Sequence, residues 1–151
     1  MIKIIAIGKK HEKWIKSGIE EFEKRLKKPY DLRWDILPHS VFSDDKARFE
    51  ESERIMKALR PGDYVVLLDE RGKNISSPEF SNMLELGFIN SQNIVVIIGG
   101  AYGVSEDLRS RADFVWSLSK LVFPHQIVRL ILTEQIYRAQ EISSGGKYHH
   151  I

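Results

Sequence analysis

The chain has no cysteine. Disulfides and thiolate metal sites are thereby excluded, and the absence fits a cytoplasmic setting. No apolar run approaches the ~20 residues needed to cross a bilayer. The first residues, Met1-Ile2-Lys3-Ile4-Ile5, enter a strand pattern directly, so neither a signal peptide nor a membrane anchor is expected. Neither the nucleotide-cradling G-x-x-x-x-G-K-[ST] nor G-x-G-x-x-G occurs, which weakens nucleoside-triphosphate and dinucleotide readings. Repeats, linkers and low-complexity segments are also missing. A strong net charge is lacking too, at +2. Its placement is uneven: residues 1–34 hold ten Lys and Arg against five Asp and Glu, residues 35–116 nine against fourteen, and residues 117–151 four against two. Basic ends around an acidic middle suit a polyanion such as RNA, and equally a plain solvated helix surface.

What is present reads as one α/β domain over 1–151. Apolar stretches at Ile2–Ile7, Leu32–Leu37, Tyr64–Leu68, Asn93–Ile98 and Phe114–Leu118 are mostly continuous. That is the pattern of a parallel sheet covered on both faces. Between them run helical segments. His11–Lys28 carries an apolar stripe of Ile15, Ile19, Phe22 and Leu26 and a lysine face of Lys13, Lys16, Lys24, Lys27 and Lys28. A helix from Ser43 to Leu59 is expected to turn Phe49, Met56 and Leu59 inward and Glu50, Glu51 and Glu53 outward. Asp69–Lys73 reads as a polar loop. Ser76 with Glu79 matches a capping box, Ser105 caps a short helix, and Ser144-Gly145-Gly146 ends the last one. That last helix, introduced by Pro124, is apolar nearly all round. It is expected either to sit centrally in the core or to be covered by a second subunit, and a homodimer is favoured.

Two strand-to-helix junctions stand out as one small-molecule site. The first is Ile98-Gly99-Gly100-Ala101-Tyr102-Gly103, where glycine permits a close backbone approach; alone, such a turn is more often structural. The second is Ser117-Leu118-Ser119-Lys120-Leu121-Val122-Phe123-Pro124-His125, a strand end, loop and helix start of the kind that makes ligand pockets in α/β proteins. Pro124-His125 could equally be plain capping. His149-His150, adjacent in sequence and without a nearby carboxylate, makes a poor chelate, so no metal is expected.

In this order the motifs, with Glu134-Gln135-Ile136-Tyr137-Arg138-Ala139 and Tyr148-His149, resemble the small SPOUT-superfamily methyltransferases that modify a pseudouridine of 23S ribosomal RNA at N3. The resemblance covers the whole chain. It implies an α/β fold with a C-terminal deep trefoil knot, a homodimer, S-adenosylmethionine as methyl donor, and ribosomal RNA in the large subunit or the 70S ribosome as partner. Carried over by position, donor contacts fall on Leu68, Gly99 and the run Leu118, Ser119, Lys120, Leu121, Val122, Phe123. Gly103 belongs to the same glycine loop. The chain departs from the family after Tyr148-His149. His150 and Ile151 stand where Arg or Lys is usual, which removes a basic contact expected there.

Methylating N3 needs loss of a weakly acidic proton, to a base or with a positive group stabilising the anion. The candidates are His149 as base, Tyr148 as a positioning or stacking group, and Arg129 or Lys120 as a source of charge. Methylation of transfer RNA or another nucleoside by the same loops is the nearest alternative. A non-catalytic RNA-binding dimer is the alternative from a different class.

Overall fold

The computed structural model describes residues 1–150; Ile151 lies outside the described residues. Five strands form one sheet: β1 (Ile2–Ile7), β2 (Leu32–Leu37), β3 (Asp63–Lys73), β4 (Asn93–Ile98) and β5 (Phe114–Trp116). Their spatial order is β2-β1-β4-β3-β5, and every pairing is parallel. Parallel neighbours need crossovers, and α1 (Lys13–Glu23), α2 (Asp44–Ala58), α3 (Ser77–Ile89) and α4 (Glu106–Arg111) supply them. The last helix, α5 (His125–Ser144), follows β5.

Alternate residues of each strand serve opposite faces. Ile2, Ile4, Ala6, Val66, Val96 and Ile98 pack with Phe80 and Leu84 of α3 and Leu132, Ile136 and Ala139 of α5. Ile5, Ile7, Val65, Leu67, Val95 and Ile97 pack on the other side with Ile55 of α2 and Leu108 of α4. Burying each aliphatic side chain contributes about 1.5–3 kcal/mol. Central strands buried on both sides explain why they read as unbroken apolar runs.

The last helix is the centre of its layer. It lies against both α1 and α3 and buries Arg129, Leu132, Thr133, Ile136, Tyr137 and Ala139. Much of its apolar surface is thus covered by the same chain. It starts one residue later than expected: Pro124 is the N-cap, with ψ at 144°, and not the first helical residue. At its end Gly145 takes the left-handed conformation, φ 74°, and Gly146 N–H donates to Glu141 O at 2.8 Å, as the Gly-Gly break suggested. The serine caps also form: Ser76 Oγ accepts from Glu79 N–H and Ser105 Oγ from Leu108 N–H, both at 3.2 Å.

Four local expectations are corrected. α1 stops at Glu23, not Lys28, although all five lysines of that face are exposed. Phe49 of α2 is 62% exposed, whereas Glu51 is only 3% exposed. Glu51 turns inward because its Oε2 accepts the backbone N–H of Ser40, at 2.8 Å. Asp69–Lys73 is not a free loop but the continuation of β3. There β3 shifts register, Leu68 and Lys73 both pairing with Trp116, as a bulged strand does. Gly72 allows this, since a Cβ on it would lie 2.6 Å from Val115 O of β5.

Candidate active site

In an open parallel sheet the carboxyl ends of the strands face a crevice where helices diverge. Here that crevice is a cleft of about 880 Å³ beyond the ends of β4, β3 and β5, within the range of small-molecule sites. β3 contributes Leu68, and the loop after β4 contributes Gly99 and Gly103. The loop between β5 and α5 contributes Leu118, Ser119, Leu121, Val122 and Phe123. Eight of the nine expected donor contacts therefore line one cavity. Lys120 is the exception; it is exposed and outside the wall.

The second loop is held from both sides. Ser117 N–H donates to Lys73 O at 2.9 Å, and Asn74 Nδ2 donates to Ser117 O at 2.8 Å. Within it, Ser117 Oγ donates to Ser119 O and Leu121 N–H to Ser119 Oγ, at 2.9 and 3.0 Å. Leu121 and Val122, on the same loop, line the cleft while 69% and 78% exposed. The glycine loop is held by Gly103 N–H donating to Gly100 O at 3.1 Å, with Gly103 at φ 79°. Glycine is required at 100 as well, because a Cβ there would run into the Glu51 carboxylate and, at 3.2 Å, Ile7.

Sequence reasoning missed Asp69 and Phe49 in the wall and left His125, inside the second junction, open to plain capping. His125 lines the cleft. Burial, then the charge of Arg129, holds its imidazole below the usual range, and the nearby Glu51 opposes that shift. Asp69 and Phe49 also line the cleft. Asp69 is bonded by Arg109 and Arg71. Burial pushes its carboxyl up, but the bonds from Arg71 and the charge of Arg109 outweigh this and hold it low. Alternation through the end of β3 would have been the only local signal for Asp69.

The candidate catalytic residues are not together. Arg129 is 1% exposed and lies behind the wall. It donates to Lys9 O at 2.8 Å and contacts His11 Nδ1 at 3.3 Å, so it props the β1–α1 turn against α5 and does not face a ligand. Tyr148 and His149 do not project freely from the end of the helix. They fold back on α5, where Tyr148 Oη donates to Glu134 Oε2 at 2.9 Å and His149 Nδ1 lies 3.0 Å from Arg138 Nη1. Neither is part of the cleft wall of its own chain. His150 is exposed. Among the described residues no group of three or more His, Asp or Glu is placed to hold a metal, and no helix is long and apolar enough to cross a membrane.

The cleft suits S-adenosylmethionine on its own chemistry. Apolar walls from Leu68, Val122 and Phe123 can pack on an adenosine, and side-chain-free glycine backbone permits close approach. Residues 1–149 match the family described as "Predicted SPOUT methyltransferase". The chain is 41% identical over 156 residues to ribosomal RNA large subunit methyltransferase H of Desulfitobacterium hafniense, covering 98% of each chain. To the protein of that name from Dictyoglomus thermophilum it is 43% identical over 151 residues, covering 99% of each. A crystal structure of a methylase-family protein from Neisseria gonorrhoeae shares the fold at TM-score 0.57 and 15% identity, over 99% of this chain and 85% of that one. The chain thus belongs to the SPOUT methyltransferases, within the family of the large-subunit methyltransferase H proteins.

Proposed function

We propose that this enzyme transfers a methyl group from S-adenosylmethionine to N3 of a pseudouridine in 23S ribosomal RNA, in the cytoplasm, on the large subunit or the 70S ribosome. The observation that carries the reading is the convergence of the glycine loop and the 118–123 loop on one cleft, in a chain whose relatives are named for large-subunit RNA methylation. When bound, the donor supplies an electrophilic methyl carbon on a sulfonium. Leu68, Leu121, Val122 and Phe123 bind and shield its adenosine, Gly99 and Gly103 shape the floor, and the rigid 117–121 turn fixes its orientation. Holding two reactants in line can remove several kcal/mol of barrier, up to ~7–11 in favourable cases.

The site is proposed to be completed by a second subunit. From His125 in the cleft wall to Glu134, which holds the tail, the helical rise amounts to about 14 Å. Each chain's tail is therefore set away from its own cleft, and Tyr148 and His149 would serve the cleft of the partner. Two exposed apolar groups lie near the cleft end of the molecule: Trp14, 58% exposed, and Val122, 78% exposed. A bond from Glu12 N–H to Gln126 Oε1, at 3.0 Å, ties their two segments together. Covering this end with a second copy would remove that apolar surface from water. The trefoil knot that the family resemblance implies belongs to this proposal.

The decisive experiment maps modified nucleosides by mass spectrometry in ribosomal RNA from a strain lacking the gene, with and without its restoration. Calorimetry with S-adenosylmethionine runs beside it. Methylpseudouridine that returns with the gene, and donor binding that Gly99→Val abolishes, are the expected results. A Cβ on Gly99 would already sit 2.8 Å from Val104. Restoration that changes only a transfer RNA would move the substrate assignment.

A further inference from the structure

We propose that His149 meets the substrate as a fixed N–H donor and not as a base, and that Arg138 and Glu134 are the positioning residues that hold it so. The inference deepens the functional reading above and rests on it. The His149 ring places Nδ1 3.0 Å from Arg138 Nη1. A guanidinium has donors only and keeps its charge, so Arg138 donates and Nδ1 accepts. A neutral imidazole carries one proton, and with Nδ1 accepting it sits on Nε2. Protonating Nδ1 would turn N–H against N–H and cation against cation.

Arg138 cannot readily swing away to allow it. Its Nε and Nη2 donate to Glu134 Oε2 at 3.0 and 2.7 Å, one helical turn back. The same oxygen accepts the Tyr148 hydroxyl at 2.9 Å. The guanidinium lies 4.7 Å from the centroid of the Tyr148 ring, and Tyr137 meets that ring edge-on at 4.8 Å. Among the described residues, the charged and titratable groups around His149 are Glu134, Tyr137 and Arg138 on α5, Tyr148 with the exposed Lys147 and His150 of the tail, and Arg25, 6.0 Å from the Tyr137 ring. The Tyr148 proton is committed to Glu134, and burial followed by that carboxylate pushes the phenol above its ordinary value. Tyr148 therefore offers a ring face, and Nε2–H is the hydrogen of the imidazole that is left to point at a substrate.

In the methylation, the N3 proton passes to water. The new bond from N3 to carbon forms as the carbon–sulfur bond breaks, its electron pair staying on sulfur. Before that, negative charge from N3 spreads onto the two flanking carbonyl oxygens. An N–H held toward one of them stabilises the anion as an oxyanion-hole donor does.

Nitrogen-15 resonance of histidine-labelled protein alone, with His149→Gln for assignment, reads the tautomer. His149 protonated on Nε2 with a bare Nδ1 is expected, giving way to a mixture in Arg138→Met. A proton on Nδ1 in the wild type would overturn the proposal. Single-turnover methylation of unmodified ribosomes at saturating donor provides the second arm. His149→Gln, which offers an N–H and takes up no proton, should lose no more than about tenfold, whereas His149→Ala should lose on the order of 10²-fold. Arg138→Lys should recover more of the rate than Arg138→Met. Glutamine as slow as alanine, with donor affinity intact in both, overturns the donor role. A wild-type enzyme that leaves ribosomes unmodified overturns the functional reading instead, and the tautomer is still decided without RNA.

Discussion

Gly72 shows how much can hang on one missing side chain. Its Cβ would lie 2.6 to 2.9 Å from the backbone of Val115 and Trp116, so Gly72→Ala must push β5 away from β3. We expect a loss of about 1–3 kcal/mol, as for other overpacked sites, read as a lowered urea midpoint. Donor affinity should fall with it, because the neighbouring Lys73 and Asn74 anchor Ser117. Nothing local marks this glycine; within Asp69–Lys73 it reads as an ordinary loop residue, since the strand it approaches lies over forty positions on. Glu51 was hidden for a similar reason. Among Glu50, Glu51 and Glu53 it looks like one more solvated acid, and only the Ser40 N–H it accepts draws it inside. Residues selected by distant backbone are not legible in a window of sequence, whereas Gly99 and Gly103, which follow an apolar strand, are.

Among elements, the strands were the most legible. Burial on both faces makes their apolar runs continuous, and β1, β2 and β4 fall at the expected bounds. α5 was legible as a helix but not in its placement, because an all-round apolar helix is equally compatible with a core and an interface. Its αL end gives a clean test: Gly145→Ala should cost about 1–2 kcal/mol, the strain of a left-handed residue with a Cβ, seen as a lower melting temperature. The two imidazoles at the N-terminal end of α5 make a second. Burial, then Arg129, depresses both His11 and His125 below 6.5. The folded state therefore binds fewer protons than the unfolded chain at mildly acid pH. Their contribution is whole above 6.5 and is lost as pH falls through the lower folded values. Calorimetric melting from pH 8 to pH 5 should show a decline that begins near 6.5, and His125→Gln should flatten part of it.

For the molecule as a whole, the comparisons establish the family, and the second subunit is the claim to test first. Sedimentation at micromolar concentration should give a dimer, and Trp14→Glu should shift it toward monomer while leaving the β-sheet signal in circular dichroism intact. Removing residues 147–151 should spare donor binding but reduce methylation sharply. Mixing that truncated chain with a Gly99→Val chain is more informative. If tails act across the dimer, the mixture regains activity, since one subunit of each mixed pair keeps a working cleft and its partner a working tail. Mixtures that stay inactive would place tail and cleft in the same chain.

The position of α5 also sets an order of events during synthesis. Chains emerge N-terminus first, so β1 to β5 and the helices between them leave the ribosome before the 20 residues of α5 do. Until α5 arrives, the faces of α1 and α3 that it covers stand open to water, and the 118–123 loop has no helix to end against. The tail that Glu134 and Arg138 hold comes later still. In a chain whose relatives are named for modifying the large subunit, the loops of the cleft are thus made before the helix that fixes one of them in place.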